Sequence, residues 1–146
     1  MSDLHLRQSA ALPRLTADNY REMSPVDWTY NCIAWAAGVA NAWWWPVVGR
    51  YWPNSVPREE TIAAFLALFA TLGFHPIPSP DADLTADCVA LYARTDVPTH
   101  AARRLANGWW TSKLGPSVDI EHATPDAVAG GIYGEVVAIL CRTHSS

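Results

Sequence analysis

The chain has 146 residues and a mass of 16.0 kDa, and half of its residues are hydrophobic, so one domain can close a core without staples. Ten Lys and Arg against fourteen Asp and Glu leave a formal net charge of −4, which excludes nucleic-acid binding through a basic, phosphate-neutralising face. The most apolar run, Ile62 to Phe74, is shorter than the roughly 18 to 20 apolar residues of a membrane span.

Residues 1–23 show no period and no charged start followed by an apolar stretch, so they read as an arm rather than a secretory signal. The expectation is a cytoplasmic protein with no membrane partner, or an effector or toxin released without a signal. Residues 24–146 then form a single domain. Ser24-Pro25-Val26-Asp27 offers a cap and a proline for a helix start. Cys32-Ile33-Ala34-Trp35-Ala36-Ala37, closed by Gly38, predicts a short buried helix with Cys32 near its beginning. Trp43-Trp44-Trp45-Pro46, Tyr51-Trp52-Pro53 and Asn54 to Pro57 form an aromatic loop whose prolines forbid regular helix or central strand.

Ile62, Phe65, Leu66, Phe69 and Leu72 recur at helical spacing after the acids Glu59 and Glu60, and Gly73 stops that helix. The alternating Pro76, Pro78 and Pro80 mark 75–83 as a connector. Cys88 to Ala93 and Thr99 to Leu105 read as paired strands, and Asn107-Gly108 predicts a hairpin that returns Trp109 to Lys113 antiparallel to the second. Asp119 to His122, a helical piece from Pro125 to Gly130 and a last strand from Gly134 to Arg142 complete the chain. Helices first and strands after predict an α+β domain with a mostly antiparallel sheet of about four or more strands.

Three cysteines, Cys32, Cys88 and Cys141, have no CxxC spacing, so at least one thiol is free. Cys88 and Cys141 lie in apolar strand runs and read as core. Cys32 opens a helix, where about half a positive charge favours thiolate, and His100 opens a distant strand. Thiol catalysis needs that pair, plus a third polar group to fix the imidazole. The hairpin brings Thr111, Ser112 and Lys113 back along the His100 strand. A metal site from Cys32, His100, Asp119 and His122 has suitable ligand types but no short-spacing pair to anchor it, and no metal or cofactor is expected. Eight tryptophans, six of them from Trp28 to Trp52, make an aromatic wall that faces either the core or a ligand. Arg103, Arg104 and Lys113 form a small basic patch.

Cys32 at a helix start, the strand Val89 to Ala93, and His100 followed by the Gly108 turn resemble the core of the papain-like, NlpC-type cysteine peptidases. That resemblance implies a papain-like fold with N-terminal helices packed on the sheet, and it places Ser112 where the family has its orienting His, Asn or Gln. Tyr30-Asn31-Cys32-Ile33-Ala34-Trp35 replaces the family's Asp-Cys-Ser-Gly box, and Asp119, Glu121 or His122 are alternatives for the third group. The whole series from Tyr30-Asn31-Cys32-Ile33-Ala34-Trp35-Ala36 through Trp43-Trp44-Trp45-Pro46, Tyr51-Trp52-Pro53, Thr99-His100-Ala101-Ala102-Arg103 and Trp110-Thr111-Ser112-Lys113-Leu114-Gly115 to Asp119-Ile120-Glu121-His122 also resembles a bacterial family of uncharacterised domains. The expected function is a thiol hydrolase acting on an amide bond of a peptide or side chain. Cys32 is its nucleophile, His100 its base and Ser112 its orienter, with Asn31 or Tyr30 near the oxyanion. Tyr30, Trp44, Trp45, Trp52 and Trp110 would line the substrate site. The rival reading is a binding module in which the loop 43–53 grips a protein or glycan. Monomer and dimer stay equally open.

Overall fold

The computed structural model describes residues 12–16, 18–24, 29–79, 86–114 and 119–142. Among these residues seven strands form one antiparallel sheet: β1 (Tyr20–Ser24), β2 (His75–Ile77), β3 (Asp87–Arg94), β4 (Val97–Arg104), β5 (Trp110–Lys113), β6 (Asp119–His122) and β7 (Glu135–Arg142), in the order β1-β6-β5-β4-β3-β7-β2. Two helices accompany it, α1 (Cys32–Ala36) and α2 (Ile62–Thr71), with a 3-10 turn over Pro125–Val128. The helices-first, papain-like α+β layout does not hold, because this is a β-rich fold. Two segments read as arm and connector are strands instead: Tyr20–Ser24 pairs along β6, and His75–Ile77 along β7. Neither carries the alternating apolar pattern that marks a strand in sequence, because both lie at sheet edges. The Cys32 helix is only five residues long, cut off by Gly38 at φ +86°.

The β3–β4 connection is tighter than the sequence suggests. Thr95 and Asp96 both have positive φ (52° and 65°), the two-residue hairpin geometry that matches strand twist, so Val97 and Pro98 already belong to β4. The Asn107-Gly108 hairpin forms as expected, with Gly108 at φ +89° and β5 returning along β4. The α2 helix starts at Thr61, whose hydroxyl accepts the Ala64 amide at 3.1 Å, and ends before Gly73 at φ +91°.

Strand alternation gives the sheet two buried faces. On one, Val89, Leu91, Ala101 and Leu140 meet α1, α2 and the tryptophan loop. On the other, Ala90, Tyr92, Ala102, Trp110 and Ile120 meet Leu12 and Val128. Leu12 is fully buried, and Arg14 reaches Asp126 at 2.7 Å and Glu135 at 3.1 Å, so this part of the expected arm is docked. Cys88 and Cys141, expected as separate core thiols, stand opposite each other on β3 and β7 and form a disulfide.

Candidate functional site

Backbone pairing between β4 and β5 is confined to Arg103 with Thr111 and Arg104 with Trp110. Further along, side chains join the two strands. His100 Nε2 lies 2.9 Å from Ser112 Oγ, and Ser112 Oγ lies 2.7 Å from His122 Nε2 on β6. His122 Nδ1 in turn lies 2.7 Å from the Thr124 carbonyl. Ser112, His100 and His122 are all fully buried.

The direction of this chain follows from its last link. A carbonyl only accepts, so His122 carries its proton on Nδ1. Burial lowers the His122 pKa to about 4, so at neutral pH its Nε2 is bare and takes the Ser112 hydroxyl proton. The serine oxygen then accepts from His100 Nε2–H. His100 is therefore fixed as the Nε2–H tautomer, with a free lone pair on Nδ1. That Nδ1 is buried and has no hydrogen-bond partner among the described residues. Burial first, and His122 second, hold the His100 imidazole well below its usual pKa, hence neutral. Tyr133 stacks flat on the ring, with centroids 4.0 Å apart and planes 11° from parallel, and Tyr92 meets it edge-on at 5.1 Å.

Cys32 approaches the same stretch of β4 from the helix side. Its Sγ lies 3.9 Å from the carbonyl of Thr99, the residue before His100. It is the free cysteine, and burial pushes its thiol up to about 11, against the opposing pull of the Ala101, Ile33 and Cys32 amides and of Lys113. The thiol thus rests neutral, bonded to Thr99 and not to His100. Asn31 fixes the start of α1: its Oδ1 accepts from the Ala34 amide (3.2 Å) and the Trp44 amide (3.0 Å), and its Nδ2 donates to the Trp44 carbonyl (2.8 Å). It ties the tryptophan loop to the Cys32 helix and does not point at a reacting group.

The structure thus joins His100, Ser112 and His122, with His122 behind Ser112 as the second member of the relay, while Cys32 meets β4 at the Thr99 carbonyl from the α1-side core and makes no bond to the relay. Asp119 lies elsewhere: buried on β6, it accepts from the Tyr30 hydroxyl at 3.5 Å on the α1 side. Glu121 pairs with Arg21 at 2.6 Å along the sheet edge. Trp44 and Trp52 are buried in the α1-side core, Trp52 donating to the Pro57 carbonyl. Trp45 is half-buried against Phe65 and donates to Glu60. Trp110 belongs to the opposite core. The large hydrophobic side chains that the loop 43–53 exposes are Val47, Val48 and Tyr51, not indole. Lys113, read as part of a surface patch, is fully buried. Sequence reasoning missed Tyr133 and the Thr124 carbonyl; the glycines at 130, 131 and 134 were the signal that residue 133 sits in a tightly turned, close-packed loop. Among the described residues no group of three or more His, Cys, Asp or Glu is placed to hold a metal ion, and no helix is long and apolar enough to cross a membrane.

No curated protein and no solved structure gives a match to this chain, and no comparison supports the NlpC-type resemblance. One family profile does match, over residues 21–141, a stretch that includes the relay, the Cys32 helix and all seven strands save parts of their outermost ends. The chain belongs to family DUF7689, a domain of unknown function.

Proposed function

We propose that the protein is a cysteine-dependent hydrolase of amide bonds. The observation that carries this reading is the tautomer of His100: a relay through Ser112 and His122 to the Thr124 carbonyl leaves a buried, unpartnered Nδ1 lone pair on the residue next to the one that Cys32 touches. A structural histidine at full burial ordinarily satisfies both nitrogens; an unused imidazole lone pair, one residue along β4 from the carbonyl that holds a free thiol, is the group this reading takes as general base.

In the proposed reaction substrate draws Cys32 away from its Thr99 contact to the edge of β4, its proton passes there to His100 Nδ1, and the sulfur attacks the amide carbon. Collapse of the tetrahedral adduct breaks the C–N bond, the amine leaves with the proton from Nδ1, and water then hydrolyses the thioester. The same cycle covers a peptide bond and a side-chain amide. Because the resting thiol is neutral, the nucleophile forms only as substrate displaces the Thr99 contact. The Cys88–Cys141 bond suits work in an oxidising space, after release from the cytoplasm.

The test is a panel of peptides assayed for backbone cleavage and for ammonia release, with wild type, Cys32→Ala and His100→Ala side by side. Turnover in wild type that is absent from both folded variants is expected. Turnover that survives in Cys32→Ala overturns the proposal.

A further inference from the structure

We infer that the turn 131–134 is a gate over His100, with Tyr133 as its cover and the Thr99 hydroxyl as its latch; that the gate admits an amide substrate rests on the hydrolase reading above. His100 has no exposure, so its Nδ1, the atom taken as base, meets a substrate only when a covering group moves. The Tyr133 ring lies flat on the imidazole with centroids 4.0 Å apart. It keeps part of its own surface in solvent, and its neighbour Ile132 is exposed. Tyr133 is thus a layer between His100 and water.

The turn can lift as one piece. It closes on itself, the Gly134 amide donating to the Gly131 carbonyl at 3.0 Å and the Gly130 amide to the Gly134 carbonyl at 2.8 Å, so these bonds survive its movement. Gly130 and Gly134, at its ends, both have positive φ, +87° and +72°, and backbone rotation there meets no Cβ. Beneath the turn both ladders of β3 are interrupted. Tyr92 and Ala93 face His100 and Pro98, which leaves Thr99 as a bulge in β4, and Leu91 and Tyr92 face Ala138 and Val136, which leaves Val137 as one in β7. At its bulge Thr99 donates its hydroxyl to the Tyr133 carbonyl at 2.5 Å, while its own carbonyl faces Cys32. One residue therefore holds both the gate and the thiol. Arg14 straps the base, bridging Asp126 before the turn and Glu135 after it. Gly134 seats so closely on β3 that a Cβ would lie 2.1 Å from the Ala93 carbonyl oxygen.

The experiment is carbethoxylation of the full chain by diethyl pyrocarbonate at about pH 7, where an unprotonated imidazole reacts, mapped by mass spectrometry over time and across urea concentrations below the unfolding transition. His75, exposed on β2, calibrates the reagent, and His122, fully buried, reports global unfolding. His100 is expected to react more slowly than His75 but at least about tenfold faster than His122, at a rate nearly independent of urea, because a local opening exposes little surface. Thr99→Val, which removes the latch, is expected to raise the His100 rate relative to that of His122 about fivefold, the effect of one hydrogen bond. Gly134→Ala, which props the turn away from Ala93, raises the same ratio further. Where a variant loses stability as a whole, both histidines accelerate and their ratio still reads the gate. Wild-type His100 that reacts only as fast as His122, with the same rise in urea, overturns the inference, and so does a ratio unchanged in both variants. Amide turnover is a separate readout: opening at His100 without release of amine or ammonia removes the hydrolase reading and keeps the gate, while turnover without opening keeps the hydrolase and removes the gate.

Discussion

Replacing Ser112 by Ala removes a single oxygen, yet that oxygen is the middle of the buried relay. It accepts from His100 Nε2 at 2.9 Å and donates to His122 Nε2 at 2.7 Å, and all three side chains are fully buried. The variant leaves one buried N–H donor and one buried lone pair without the bonds they now make. Each such group costs about 1–3 kcal/mol, so Ser112→Ala is expected to lose about 3 kcal/mol, while the void left by one oxygen adds little. For a chain of this length that corresponds to a fall in Tm of roughly 10 °C. Thermal and urea unfolding followed by circular dichroism measure it. A loss below about 0.5 kcal/mol, the range of an ordinary surface change, would mean that the two imidazoles have other partners and that the tautomer of His100 is not set by this chain.

Three further outcomes follow from the same geometry. His122 has a folded-state pKa of about 4 against an ordinary 6.5; a depressed histidine is neutral when folded and binds its proton on unfolding, so its stabilisation is complete above about pH 6.5 and is lost as pH falls toward 4. The loss approaches roughly 3 kcal/mol, to be read from urea midpoints across that window, and it shrinks in His122→Phe. Reduction of Cys88–Cys141, which closes a separation of 53 residues, is expected to cost about 4 kcal/mol, seen as a lower Tm with dithiothreitol and reproduced by Cys88→Ser/Cys141→Ser. Asn31→Ala removes a helix cap and both bonds to Trp44; a loss of about 2–3 kcal/mol by denaturant titration is expected, together with a change in tryptophan fluorescence as the loop loosens.

Local signals were legible where one segment carries its own rule. The spacing of Ile62, Phe65, Leu66 and Phe69, with Gly73 behind it, marks α2, and Asn107-Gly108 marks the β4–β5 turn. The placement of Ser112 beside His100 was also within reach, because a hairpin fixes register. What the sequence hid depends on distant partners. Tyr20–Ser24 becomes a strand only because β6 presents an edge, and Arg21 only then finds Glu121. His75–Ile77 hides behind its prolines, which an edge strand tolerates. Cys88 and Cys141 look like core residues in isolation, and only the β3–β7 register makes them a bond. The inward turn of Lys113 is a matter of strand parity, which one residue of register decides. His122 reads as one of three alternatives for the third group until the β5–β6 pairing sets its ring against Ser112.

The central claim is that His100 takes the proton of Cys32. The direct measurement is the rate of Cys32 alkylation by iodoacetamide as a function of pH, in wild type and in His100→Ala. With Cys88 and Cys141 bonded to each other, Cys32 is the free thiol that reacts. If His100 Nδ1 accepts the proton as sulfur attacks, log rate is nearly flat from about pH 7 to about pH 9 in wild type and climbs about tenfold per pH unit in His100→Ala, where only hydroxide produces thiolate. Superimposable profiles that both climb tenfold per unit would contradict the account and leave Cys32 a buried core residue.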